Sequence, residues 1–154
     1  MLRTLLSLVL LLIALPATAL AQAPRNAPGT LISADPVAGA PETMRSWRIA
    51  YWTSDAGGRA IRVTGMLVAP RERAPSPGPR RVIAWTHGTW GVVEKCAPSL
   101  SPGFWQATPA LADMIARGYL VVAPDYPGLG SPMAHPYLIG VDTARSVLDA
   151  VRAA

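Results

Sequence analysis

The sequence predicts an α/β fold organised around a pair of parallel strands, and three observations carry that reading. The runs Val82-Ile83-Ala84-Trp85 and Tyr119-Leu120-Val121-Val122-Ala123 have the length and apolar content of buried strands. Between them Leu111, Met114 and Ile115 recur at helical spacing, and Gly118 offers a left-handed stop just before the second run. Upstream, residues 46–54 and 60–69 alternate in side-chain character about the turn signal Asp55-Ala56-Gly57-Gly58, which predicts an antiparallel hairpin. The expected architecture is therefore that hairpin, two parallel strands and two packing helices.

Each element follows from local chemistry. In the first hairpin strand Trp47, Ile49, Tyr51 and Thr53 share one face, and in the second Ile61, Val63, Gly65 and Leu67 do. Pro70 to Arg80 holds four prolines, which remove backbone donors and fix φ, so the segment is expected to be an exposed connector. The Val82 run is apolar on both faces, as for a strand covered by helices on each side. Thr108-Pro109 reads as an N-cap followed by a proline at the first helical position. A last helix is expected after Pro136, with Val141, Ala144, Leu148 and Val151 on its apolar face. Residues 22–44 lack periodicity and read as an extended lead-in, leaving 45–154 as the body of one domain.

The first 21 residues read differently. Arg3 gives a basic start, Leu5 to Leu15 is almost unbroken apolar sequence, and Ala19-Leu20-Ala21 is a small-x-small cleavage site. That is the layout of a secretory signal peptide, and the apolar run falls short of the roughly 20 residues needed to span a bilayer. The expected location is secreted or periplasmic, with no transmembrane segment after cleavage. Loss of Arg3 takes the net charge from +5 to +4. The remaining cations are nearly all arginine and are scattered, without a basic helix or an aromatic-interleaved stripe, so nucleic acid is not an expected partner. Cys96 is the single cysteine, which in an exported chain leaves a free thiol, an intermolecular bridge or a missing partner open.

Two glycine loops follow the two parallel strands, where open sheets of this kind gather their chemistry. His87-Gly88-Thr89-Trp90-Gly91 could turn backbone N–H groups outward to form an oxyanion hole, or could be a tight turn that needs glycines. In Asp125-Tyr126-Pro127-Gly128-Leu129-Gly130, Asp125 is read as a brace for the loop, with Gly128 and Gly130 permitting positive φ. His87 and His135 lack ligand spacing and are read as loop-ordering residues, so no metal is expected. Ser99, Ser101 and Ser131 are the loop serines to weigh as nucleophiles, but no G-x-S-x-G elbow occurs. Trp90 and Trp105 could line an apolar acyl pocket or simply pack.

Taken in order, Tyr51-x-x-Ser54, Thr64-Gly65-x-x-x-x-Pro70, His87-Gly88-Thr89, Cys96-Ala97-Pro98-Ser99, Gly118-Tyr119, Pro124-Asp125-Tyr126-x-Gly128-Leu129-Gly130, His135-Pro136-Tyr137 and Asp149-x-x-Arg152 resemble the secretory lipase family of bacteria and fungi, within the α/β-hydrolase superfamily. The resemblance runs from about Ser46 to Ala154. It implies an esterase or lipase that cleaves acyl esters, acylglycerols among them, with a Ser-Asp-His triad and no cofactor. It also implies that the nucleophile strand comes after the helix with which this sequence closes. On that reading the chain is the amino-terminal portion of such an enzyme, an α/β-hydrolase-like sheet cut before its nucleophile, and inactive alone. His87, Gly88 and Thr89 would form the oxyanion side, Thr89 contributing a backbone donor. Cys96 would pair with a cysteine further on. A peptidase of the same fold and a non-catalytic secreted module binding an apolar ligand through the Trp90 to Trp105 loop are the competing readings.

Overall fold

The computed structural model describes residues 25–72 and 78–154. The signal-peptide reading and the middle of the proline-rich connector therefore lie outside the described residues. Five strands form one mixed sheet in the order β1-β2-β3-β5-β4: β1 is Leu31–Pro36, β2 Met44–Ser54, β3 Ala60–Pro70, β4 Val82–Ala84 and β5 Leu120–Pro124. The helices are α1 (Phe104–Ala107), α2 (Leu111–Ala116) and α3 (Gly140–Ala153), with single 3-10 turns at Glu94–Cys96 and Pro98–Leu100.

The hairpin forms as expected. β2 and β3 pair antiparallel without interruption from Met44 opposite Pro70 to Ser54 opposite Ala60. β4 and β5 pair parallel, Ile83 opposite Val121, and β3 joins the two halves by pairing antiparallel with β5. Gly65 sits at that junction opposite Pro124, and a Cβ there would come within 2.6 Å of the Ala123 carbonyl oxygen. Glycine is what lets β3 and β5 approach.

The pleat sorts side chains to two cores. Met66, Val68, Val121 and Ala123 face α1 and α2, where Phe104, Leu111 and Ile115 cover them. Ile49, Tyr51, Val63 and Val122 face α3 and pack with Ala150. The α3 side thus receives the faces that the alternation assigned to β2 and β3. The close of α2 also matches expectation. Gly118 has φ +84°, its N–H bonds to the Ile115 carbonyl, and the Tyr119 N–H bonds to that of Met114. That pair of bonds satisfies the last carbonyls of the helix and turns the chain straight into β5.

Four expectations need correction. Residues 31–36 of the lead-in form an edge strand, antiparallel to β2, so the sheet has one strand more than periodicity shows. β4 is three residues long, stands at the opposite edge, and its side chains are only half-buried. Thr108 is not an N-cap. Its hydroxyl donates to the Phe104 carbonyl at 2.8 Å and closes α1, while Ala110, at φ 56°, precedes α2. Finally, α3 is turned about its axis. Val141, Ala144, Leu148 and Val151, the expected core face, are all exposed, and Asp142, Ser146, Asp149 and Ala150 point inward.

The reason for that rotation lies in the sheet. The Tyr51 hydroxyl donates to the Ser146 carbonyl at 2.9 Å and the Thr53 hydroxyl to the Asp149 carboxylate at 2.7 Å. Arg152 pairs with the same carboxylate, and Asp142 accepts from the Ala56 N–H at 2.9 Å. Buried hydroxyls left without partners cost about 1–3 kcal/mol each, so the helix presents the face that can accept from them. Tyr51 is held neutral: burial raises its pKa, and the Asp125 and Asp149 carboxylates push it further up.

Candidate functional site

The loops leaving β4 and β5 meet on one side of the sheet and enclose a cleft of about 200 Å³. Its walls include Gly88, Thr89, Trp90, Tyr126, Leu129 and His135.

The β5 loop is a buried scaffold. Residues 124–131 are all buried. The Asp125 carboxylate accepts from the Thr64 hydroxyl at 2.6 Å, the Ser99 hydroxyl at 2.5 Å and the Ser99 N–H at 2.8 Å. Arg48 in turn donates to the Ser99 hydroxyl at 3.2 Å. One carboxylate thereby ties β3, β5 and the 3-10 turn at Pro98–Leu100 together. Burial raises the Asp125 pKa above the ordinary carboxylate value, and the bonds from Ser99 and Thr64 and the charge of Arg48 only partly oppose it. No histidine side chain bonds to this carboxylate among the described residues; its contacts are to Thr64 and Ser99.

The loop's glycines are needed for conformation and space. Gly128 has φ +82°, and a Cβ on it would strike the backbone of Ala134 and His135. Gly130 has φ +70°, its N–H donates to the Glu94 carbonyl, and a Cβ would strike the Thr64 hydroxyl. Tyr126 also holds a left-handed φ of 71°, a strained conformation for a bulky residue. That backbone brings the Tyr126 ring onto the His87 ring, centroids 4.0 Å apart, while its hydroxyl donates to the His87 carbonyl at 3.1 Å. Burial raises its pKa, against the bonds to Thr86 and His87.

The β4 loop is different. Gly88 and Thr89 are exposed, and the backbone N–H groups of Gly88, Thr89, Trp90 and Gly91 donate to no protein acceptor among the described residues. His87 is buried beneath them. Its Nδ1 lies 2.6 Å from the Gly88 carbonyl and its Nε2 3.2 Å from that of Asp125, so each ring nitrogen faces a carbonyl of one loop, and a neutral ring donates to one of the two. His87 thus lies between the β4 turn and the β5 loop. The Thr89 hydroxyl meets the Tyr137 hydroxyl at 3.2 Å across the cleft. Trp90 packs edge-on to His87 beside the cleft, whereas Trp105 is stacked edge-on against Phe104 in the α2-side core and is not among the cleft walls.

The three serines are engaged elsewhere. Ser99 is tied to Asp125 and Arg48, Ser101 accepts from the Gly103 N–H at 3.1 Å, and Ser131 accepts from the Gly128 N–H at 3.2 Å. None bonds to a histidine. Cys96 is a half-buried free thiol, against which Gly91 packs so closely that a Cβ would collide with Sγ. Among the described residues no group of His, Cys, Asp and Glu could hold a metal ion, and no helix is long and apolar enough to cross a membrane.

What the spacing did not reveal is the orientation of His135. Its Nδ1 lies 2.6 Å from the Pro127 carbonyl, which holds the ring at the cleft wall. The pairing crosses the β5 loop, and no local periodicity encodes it.

A mixed sheet with a parallel pair at one edge, helices on both faces and glycine-rich loops at the carboxyl ends of β4 and β5 is a lipase-type α/β-hydrolase fold. Solved lipases and esterases share it. The rice cell wall degrading esterase LipA from Xanthomonas oryzae matches with a TM-score of 0.65 at 25% identity, over 82% of this chain and 37% of that one. Candida antarctica lipase A matches in fold, with a TM-score of 0.61 at 21% identity over 82% of this chain and 31% of that one. A putative hydrolase from Legionella pneumophila matches with a TM-score of 0.57 at 26% identity over 71% and 29%. The chain thus spans about a third of the length of these structures. No protein-family model matches the sequence, and no curated protein matches it.

Proposed function

We propose that this chain is the amino-terminal, oxyanion-side part of an exported serine ester hydrolase of lipase or esterase type. Residues 1–21 serve as its secretion signal, 22–44 as a lead-in, and 45–154 as the first part of the catalytic domain. The observation that carries the reading is the run Gly88 to Gly91 along the cleft wall, whose backbone N–H groups donate to no acceptor among the described residues, over a buried His87. Donors of that kind stabilise the negative charge that develops on a carbonyl oxygen during acyl transfer. The lipases and esterases that share the fold support ester chemistry, and the third of their length that the chain spans supports a triad contributed by residues outside this sequence. Acyl esters or lipids are then the substrates, and Cys96 is a disulfide partner for a cysteine outside this sequence.

The test uses the protein translated from its whole reading frame and a short-chain aryl ester. Thr89→Pro removes the N–H, and kcat is expected to fall by about 10²–10³-fold. Thr89→Val keeps the N–H and should leave kcat within a few-fold of the parent. Equal losses in both variants would place any role in the side chain and contradict the oxyanion assignment.

A further inference from the structure

The cleft carries a second polar feature, opposite in sense to its N–H run. The His135 Nδ1 faces a carbonyl at 2.6 Å, and a carbonyl can only accept, so the proton sits on Nδ1. In the neutral ring Nε2 is then a bare acceptor. Among the described residues Nε2 has no partner, and none of their side-chain nitrogens or oxygens is both buried and unpartnered, so this atom is open. Its setting is firm. The His135 backbone is pressed against Gly128, where no Cβ would fit, and Gly128 belongs to the scaffold loop. The other cleft histidine offers nothing comparable, because each of its nitrogens already faces a backbone carbonyl and has no room for a ligand donor.

The cleft is therefore lined by Gly88–Gly91 with their undonated backbone N–H groups, by His135 with its open acceptor, and by the apolar groups of Trp90, Tyr126 and Leu129. The matching ligand accepts hydrogen bonds at one point, donates one at another, and is apolar between. We propose that His135 is a binding and specificity residue whose Nε2 accepts the hydroxyl of an ester carrying a free alcohol group, as in a partially acylated diol or polyol. The identification of the accepting group as an ester carbonyl rests on the hydrolase reading above; the hydroxyl contact itself does not.

The probes are 2-hydroxyethyl butyrate and its near-isostere propyl butyrate, titrated into the full chain and followed by NMR. In the free chain the His135 ring should show a protonated Nδ1 and an unprotonated Nε2. The hydroxylated ester should shift the Nε2 resonance and the propyl ester should not. His135→Asn keeps a donor for the Pro127 carbonyl but has no Nε2, and the ratio of the two Kd values should move against the hydroxylated ester by about three- to tenfold. An Nε2-protonated ring, an Nε2 signal that ignores the hydroxyl, or an unchanged ratio in His135→Asn would overturn the proposal. So would failure of either ester to bind the parent chain. The ring measurement on the parent chain decides the matter even where His135→Asn does not fold. Hydrolysis of either probe by this chain is a separate readout: it would contradict the assignment of the triad to residues outside the sequence while leaving the His135 contact to be judged on binding.

Discussion

The two loops that leave β4 and β5 stand side by side, and both are rich in glycine, yet only one of them uses its N–H groups internally. In the β5 loop the N–H groups of Asp125, Gly128, Leu129 and Gly130 all bond inward, to Thr64, Ser131, Tyr126 and Glu94. In the β4 loop those of Gly88 to Gly91 donate to no protein acceptor among the described residues. Glycine serves different ends accordingly. Gly128 and Gly130 hold positive φ in crowded surroundings, as does Gly91 at the far end of the β4 loop, while Gly88 has an ordinary φ and nothing within 4 Å of where a Cβ would stand. One loop is a scaffold and the other is the surface that scaffold supports. Backbone donors left for a ligand need such a rigid foundation, because their value lies in not having to reorganise.

The largest effect should come from the scaffold's centre. Asp125→Ala leaves the Thr64 and Ser99 hydroxyls and the Ser99 N–H without their shared acceptor, and a loss of about 3–5 kcal/mol is expected in urea unfolding. The same carboxyl sets a pH dependence. Its folded pKa is raised, so the folded state holds the proton more tightly than the unfolded chain does. The contribution is fully present below the unfolded carboxylate value and is lost as pH rises through the folded one. Relative to Asp125→Asn, which does not titrate there, the parent should lose stability over that rise; a gain would reverse the sign argued here.

Gly128→Ala comes next, at about 2–3 kcal/mol, since it adds a Cβ at positive φ against the His135 backbone. His87→Ala should cost about 1–2 kcal/mol through the lost Tyr126 stacking and the loosened tie between the loops. Gly88→Ala is the smallest, within about 0.5 kcal/mol in thermal or urea unfolding. A Gly88→Ala cost equal to that of Gly128→Ala would erase the distinction between the two loops.

Much of this was legible in the residues. The alternation in β2 and β3 placed the right side chains against α3, and Gly118 marked the end of α2, because both signals are local. The orientation of α3 was not legible. Its apolar stripe of Val141, Ala144, Leu148 and Val151 is real, but the partners waiting on the sheet are the Tyr51 and Thr53 hydroxyls, and periodicity says nothing about what an opposing surface demands. β1 was missed because an exposed edge strand needs no alternation, only a neighbour with free backbone groups. Thr108 deceived for a related reason: its hydroxyl had a choice of backbone partners, and the carbonyl four residues back was within reach. Of the site, the strand-end loops could be read directly, whereas the open Nε2 of His135 depends on a carbonyl across a folded loop.

The central claim is that this chain holds donors for a developing oxyanion but no nucleophile of its own. The direct measurement is treatment of the chain with a fluorophosphonate serine probe, alongside turnover of a short-chain aryl ester. The account predicts no labelled residue and no turnover above a boiled control, since Ser99, Ser101 and Ser131 are engaged by Asp125, Gly103 and Gly128 rather than by a base. Labelling of any one of these serines, with turnover abolished by its replacement, would contradict it.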